Sequence, residues 1–150
     1  MIKLKDIETA VAQRLKDAGH TVTAAEVEEG FDKPTFFIDI FQNSAAAENQ
    51  FMELVNIGVE LRYFPDTETR EALVEMADGL TGLFTATPLT VVDRFLSVFE
   101  VTFDTDAGTL LAYFELEFMR ETAAEQREYE KMQNLQIGVN INHGTSTGSN

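Results

Sequence analysis

PTFFIDIFQNSAAAENQFMELVNIGVELRYFP, residues 34–65, reads as two long strands joined by a polar loop. In the second strand Val55, Ile57, Val59, Leu61 and Tyr63 alternate with Asn56, Gly58, Glu60 and Arg62. Successive side chains of a strand point to opposite faces, so this pattern predicts a sheet with one buried face. In the first strand Phe36, Ile38 and Ile40 form one face. The other face carries Phe37, Asp39 and Phe41, too apolar for plain solvent, and predicts contact with a protein partner. Between the strands, the small polar run Ser44–Gln50 predicts a loop whose tip reaches beyond the domain.

On the N-terminal side, Leu4, Ile7, Val11 and Leu15 recur at helical spacing, which predicts an amphipathic helix over residues 3–18 with Gly19 as its stop. The β-branched, partly alternating run HTVTAAEVEE, residues 20–29, predicts a short first strand, and GFDKP at 30–34 a turn. On the C-terminal side, Pro65 ends the second strand and Asp66 or Thr67 offers a cap for a helix to about Phe84. Leu73, Met76, Ala77, Leu80, Leu83 and Phe84 give that helix its apolar stripe.

Residues 89–104 predict another strand in which Phe99, Val101 and Phe103 face inward. DTDAGT, residues 104–109, predicts a turn, and Leu110–Met119 its hairpin partner with Ala112, Phe114, Leu116 and Phe118 inward and Glu115 and Glu117 outward. Hairpins rather than crossover helices join the strands. The fold class is therefore α+β: an antiparallel β-sheet with helices packed on one face, followed by a C-terminal helix and a short extended segment.

That C-terminal part has its own character. ETAAEQREYEKMQ, residues 121–133, favours helix by propensity but lacks a continuous apolar stripe. Leu135, Ile137, Val139 and Ile141 then alternate as a short strand. Two readings of 121–142 stand side by side: a helix and strand that pair with a neighbouring subunit, or the last strand of the domain's own sheet. Residues 143–150, HGTSTGSN, read as a flexible tail after a single domain over 1–142.

Composition narrows the chemistry. The chain has 150 residues, no cysteine and a net charge of −15. Zero cysteines excludes disulfides, thiolate metal ligands and thiol catalysis. The acidic balance argues against wrapping nucleic acid, because phosphates are repelled. It fits solubility, a surface that DNA passes without sticking, or a basic protein partner. No apolar run approaches bilayer length, and the charged start MIKLKDIETAVAQRLKD lacks a secretory core, which predicts a cytoplasmic origin and no membrane partner.

No catalytic, metal or cofactor-binding residues emerge. His20 and His143, the two histidines, stand in no nucleophile motif and read as surface or capping residues. The glycines are too scattered for a phosphate loop. Asp104-Thr105-Asp106 begins like a calcium loop, but Gly108 occupies the third ligand position and no glutamate closes it. Glu26, Glu28 and Glu29 read as a wet edge, and Glu115 and Glu117 as a solvated strand face. Phe36, Phe99, Phe103, Phe114 and Phe118 sit at strand spacing and read as core. Phe31, Phe51 and Phe64 lie at strand ends or in loops, where aromatics anchor partners. The candidate protein-interface residues are therefore Phe31, Phe37, Phe41, Phe51, Met52, Phe64, Ile137, Val139 and Ile141.

Several phrases resemble a family. IKLKDIETAVAQRL, EVEEGFDKPTFFIDI, VELRYFP before a helix, FEVTFDTDAGTLLAYFELEF and the acidic helix ending EKMQNLQI are similar to bacteriophage tail terminator proteins, of the small acidic type in phages and prophages of Gram-positive bacteria. The most specific pieces are Glu29-Gly30-Phe31 with Pro34, Phe36 and Phe37, and Arg62-Tyr63-Phe64-Pro65. The resemblance covers most of 2–137 and leaves GVNINHGTSTGSN unmatched. It implies a virion structural protein, not an enzyme, assembled in the host cytoplasm and placed at the tail–neck junction. It implies a homo-oligomeric ring, commonly a hexamer, that caps the tail tube, contacts the tail tube protein and offers a surface to neck or head-completion proteins. DNA would pass the lumen without specific binding. Other readings are another neck or tail-completion component, an acidic adaptor for a basic host protein, or a small-molecule-binding or enzymatic domain with Glu100, Glu115 or Asp104 lining its pocket.

Overall fold

A computed structural model describes residues 2–27 and 29–122 of the chain. Among them two helices and six strands follow in the order α1 (Leu4–Asp17), β1 (Thr35–Ala47), β2 (Met52–Phe64), α2 (Arg70–Thr85), β3 (Leu89–Val91), β4 (Arg94–Leu96), β5 (Thr102–Asp106) and β6 (Thr109–Glu121). The strands form a four-stranded sheet in the order β1-β2-β6-β5 and a two-stranded ribbon of β3 and β4. The α+β class read from the sequence is the class observed. No helix among the described residues is long and apolar enough to cross a membrane.

The chain divides into two compact units. Among the described residues, one comprises 2–45 with Val55–Phe118, and the other Ala46–Leu54 with 119–122. In the first, β2 and β6 are the central strands, and their inward residues are almost fully closed to water. Val55, Ile57, Val59, Leu61 and Tyr63 do this from β2, and Leu110, Ala112, Phe114, Leu116 and Phe118 from β6. Ile7, Val11 and Leu15 of α1 and Leu73, Leu80 and Phe84 of α2 complete the same core. Each such side chain contributes about 2 kcal/mol on leaving water, so the period-two and helical stripes together specify which faces meet. Phe84 and Phe114 are in ring contact, with centroids 5.0 Å apart.

The ends of the helices are specified locally. Lys3 N–H donates to Asp6 Oδ2 at 2.9 Å, and at the other end of α1 Gly19 takes φ +93 while His20 N–H donates to the Leu15 carbonyl at 3.0 Å. This is the closing turn that a glycine past the last helical residue permits. The cap of α2 is Thr69, whose Oγ1 accepts from Ala72 N–H at 3.2 Å, and not Asp66 or Thr67. One link joining the two helices is absent from any local pattern. The Arg14 guanidinium donates to the carbonyls of Leu83 at 2.9 Å, Thr87 at 3.2 Å and Pro88 at 2.8 Å. It neutralises the negative end of α2 and satisfies carbonyls the helix leaves unpaired.

Several expectations are corrected. The run 20–29 is not a strand. Among its described residues, Val22 forms one isolated parallel bridge with Phe36, Thr21 and Thr23 hydrogen-bond Thr35 and Phe36 of β1, and Ala24–Val27 folds into a turn with Val27 N–H on the Ala24 carbonyl. Nor is Ser44–Gln50 a loop throughout. β1 runs on to Ala47, and the connection to β2 is only residues 48–51. Small residues tolerate a strand when its partner continues beside them, so composition misled here.

The region 89–104 is split. Leu89 pairs with Leu96, Thr90 with Phe95 and Val91 with Arg94, and the turn places Val92 at φ +58, a conformation β-branched residues rarely adopt. Phe99, expected in the core, is 90% exposed. The β5–β6 turn is tighter than expected: Ala107 (φ +50) and Gly108 (φ +80) alone join Asp106 to its partner Thr109. The mirror-image turn matches the twist of the two strands. The expected C-terminal helix, the strand Leu135–Ile141 and the tail 143–150 lie outside the described residues.

Candidate functional site: the outer face of the sheet

By strand alternation, Phe37, Asp39, Phe41 and Asn43 of β1 share a face with Asn56, Gly58, Glu60, Arg62 and Phe64 of β2 and with Tyr113, Glu115 and Glu117 of β6. The side chains of this outer face fall into three groups.

The first group is aromatic. Phe31 lies with Phe37 and Phe64 at ring-centroid distances of 4.9 and 5.0 Å, and Phe37 with Phe64 at 5.4 Å, all edge to face. The Arg62 guanidinium carbon sits 5.3 Å from the Phe37 centroid and 6.0 Å from that of Phe64. Edge-to-face rings and a cation above them are the arrangements the aromatic quadrupole favours. Gly30, at φ +74, turns the chain just before Phe31. The outcome for Phe37 differs from the expectation of an outward, accessible ring: it is only 4% exposed. What an alternation pattern shows as a second apolar face is here largely covered by the chain's own Phe31 and Phe64.

The second group is a stack over a glycine. The Phe41 ring lies nearly parallel to that of Tyr113, with centroids 6.2 Å apart. Gly58 makes room for it. A Cβ on Gly58 would stand 2.6 Å from Phe41 Cε2 and 2.9 Å from the Tyr113 hydroxyl. Phe41 itself remains 39% exposed.

The third group is polar and continuous with the second. Asn43 Nδ2 donates to Asn56 Oδ1 and to the Tyr113 hydroxyl, both at 2.8 Å. Asn56 Nδ2 donates to Glu115 Oε1 at 3.1 Å and Glu117 Oε2 at 3.2 Å, and Tyr113 donates its hydroxyl to Glu115 Oε2 at 3.0 Å. Burial, and to a lesser degree the Glu115 carboxylate, push the Tyr113 phenol above its ordinary value, against the opposing pull of the Asn43 contact. Tyr113 thus stays a donor and holds Glu115 in place.

Glu115 and Glu117 form one wall of a groove of about 590 Å³, whose opposite wall is the segment carrying Phe95, Phe99 and Glu100. Asp104 is not part of it. It lines a separate depression with Glu68, Thr69 and Arg70 at the start of α2. The structure therefore brings together two of the three carboxylates considered for a pocket, Glu100 and Glu115, and adds Glu117. Among the described residues, no group of three His, Cys, Asp or Glu is arranged to hold a metal ion.

Phe51 and Met52 belong to the other compact unit. Asn49 Oδ1 accepts from Phe51 N–H at 2.7 Å and Met52 N–H at 2.9 Å, which shapes the four-residue turn. The Phe51 carbonyl accepts from Thr122 N–H at 3.0 Å, the Gln50 carbonyl from Thr122 Oγ1 at 2.8 Å, and Arg120 Nε donates to Glu53 Oε2 at 2.6 Å. Phe51 is 43% exposed and Met52 half-buried. Ile137, Val139 and Ile141 lie outside the described residues. Sequence reasoning missed Tyr113, Asn43, Asn56 and Phe95. Their only signal was their place on the outward register of β1, β2 and β6, or, for Phe95, next to a turn.

No curated protein matches the chain. A family model described as phage tail terminator protein matches residues 6–131, a span that holds every strand described above, α2 and all but the first two residues of α1, and the chain belongs to that family of structural proteins that complete phage tails.

Proposed function

We propose that copies of this chain assemble into a ring, six-fold as the tail terminator resemblance implies, that ends the tail tube at full length and presents a surface to the neck or head-completion proteins. The observation that carries the reading is the family match over residues 6–131. The chain's chemistry is consistent with it. Its described surface offers contacts rather than a convergent catalytic centre, and its net charge of −15 suits a lumen that DNA crosses without adhering. A closed ring requires two different patches on each subunit. Phe41 on the outer sheet face, exposed Phe51 in the β1–β2 turn, and Ile137, Val139 and Ile141 near the C-terminus are the residues offered for subunit and tube contacts. The junction of tail and neck is the site of action, reached after assembly in the host cytoplasm.

Mass measurement in solution with negative-stain imaging tests this, with and without purified tail tubes. Six copies of a 16.8 kDa chain give a particle near 101 kDa. The expected result is that particle, free or seated on tube ends. A monomer that never associates with tubes would overturn the proposal.

A further inference from the structure

The groove beside the outer sheet face has two features apart from the residues offered above for subunit and tube contacts. One wall is apolar and open: Phe95 is 74% exposed and Phe99 90%. Large aromatic side chains left this open on one short segment mark a contact surface. The β6 wall is anionic, and Glu100 of the aromatic segment adds a third carboxylate. Glu100, Glu115 and Glu117 line the groove with Asn56 and Tyr113, and no Lys, Arg or His lines it among the described residues. The sheet-borne carboxylates are also held in place, because Asn56 and Tyr113 donate neutral hydrogen bonds to them. Those bonds orient the charge without cancelling it.

We infer that this groove is a docking site for an arginine-bearing segment of a different protein, whose guanidinium meets Glu115 and Glu117 and whose apolar carbons lie against Phe95 and Phe99. A carboxylate pair with an aromatic wall suits arginine. The guanidinium bonds carboxylates through two parallel N–H donors and stacks on rings, and its stem packs on apolar surface. Charge complementarity also decides against a second copy as occupant. Each copy carries −15 overall, and several of its cations are already engaged: Arg14 on carbonyls, Arg62 over Phe37 and Phe64, Arg120 on Glu53 and Lys33 on Glu68.

The test uses the isolated full chain, so its result does not depend on whether the chain forms a ring or sits at a tube end. A fluorescently labelled peptide of alternating arginine and leucine is titrated and its anisotropy recorded. Three variants accompany the native chain: E115Q/E117Q, F95S/F99S, and E71Q/E75Q on the exposed side of α2, which removes the same charge elsewhere. The expected result is saturable binding weakened about tenfold by each groove variant and less than about twofold by the α2 variant. No binding to the native chain, or equal weakening by both glutamine variants, would overturn the proposal. So would a concentration-dependent mass that F95S/F99S abolishes, since the occupant would then be a second copy.

Discussion

The two faces of the four-stranded sheet are built from the same strands and are held by different physics. On the inner face β2 and β6 place a side chain at every second position, and each is buried in the core to which both helices contribute. On the outer face the same strands carry Asn56, Gly58, Arg62, Tyr113, Glu115 and Glu117, and order comes from particular partners: a ring over a glycine, an asparagine between two carboxylates, a cation over two rings. Volume defines the first face and directed contacts the second. The inner face therefore fixes the fold, and the outer face can vary in what it touches without losing it.

The largest effect that would break this contrast is on the inner side. Phe114→Ala should cost about 3–5 kcal/mol in denaturant unfolding, because a fully buried ring leaves a cavity beneath Phe84. Phe99→Ala should change stability by less than about 0.5 kcal/mol, as expected of an exposed side chain. Equal losses would show that the 95–100 segment is packed and not open. Next comes Arg14→Met, which keeps the stem and removes the donors to Leu83, Thr87 and Pro88. We expect a loss of about 2 kcal/mol, because charged hydrogen bonds go and carbonyls lose their partner. Unchanged unfolding would mean that α2 is closed without it.

Gly58→Ala sharpens the outer side. The new methyl must push the partly exposed Phe41 ring and the Tyr113 hydroxyl, which is held by Asn43 and Glu115, so the cost should be about 1–3 kcal/mol. The ring resonances of Phe41 and Tyr113 in NMR spectra should move while those of Phe84 and Phe114 stay. Movement of the inner rings would show that the two faces are coupled.

The smallest effect is a pH dependence. Burial holds His20 below the ordinary histidine value of 6.5, and its ring packs edge-on against Phe36 at 5.2 Å. The folded protein thus resists a proton that the unfolded chain accepts. This contribution is complete above 6.5 and is lost as pH falls from there toward the lower folded value. Thermal unfolding followed from about pH 8 to pH 5 should show a decline that His20→Phe flattens. A variant that declines just as steeply would assign the loss to carboxylates instead.

Wherever a residue's fate depends on its own strand or helix, the sequence was a sound guide. The alternations in β2 and β6 located the buried faces, the 3.6-residue stripes located both helices, and Gly19 and Gly108 located turns. Failures cluster where a second segment decides. Phe37 looked exposed by alternation, but Phe31 closes over it from within the GFDKP turn. Phe99 looked buried by alternation, but β5 begins only at Thr102, so Phe99 has no sheet to follow. Ser44–Ala47 looked like loop, but the continuation of β2 keeps it extended. The candidate site shows the same division. Glu115 and Glu117 were recognised as one outward face, and nothing in their own neighbourhood indicated that Phe95 and Phe99 would stand opposite.

The sequence by itself determined the α+β class, the two helices, the inward faces of the long strands, the acidic character and the resemblance to tail terminators that the family match bears out. These are properties of local periodicity, composition and short phrases, which neighbouring residues set. Only the tertiary structure decided that the outer face is divided into a closed aromatic cluster, a ring stack over Gly58 and an open anionic groove. Those features join residues up to 72 positions apart, as Phe41 and Tyr113 are. Pairing at such separation is settled by which strands lie side by side, and no spacing within one segment encodes it.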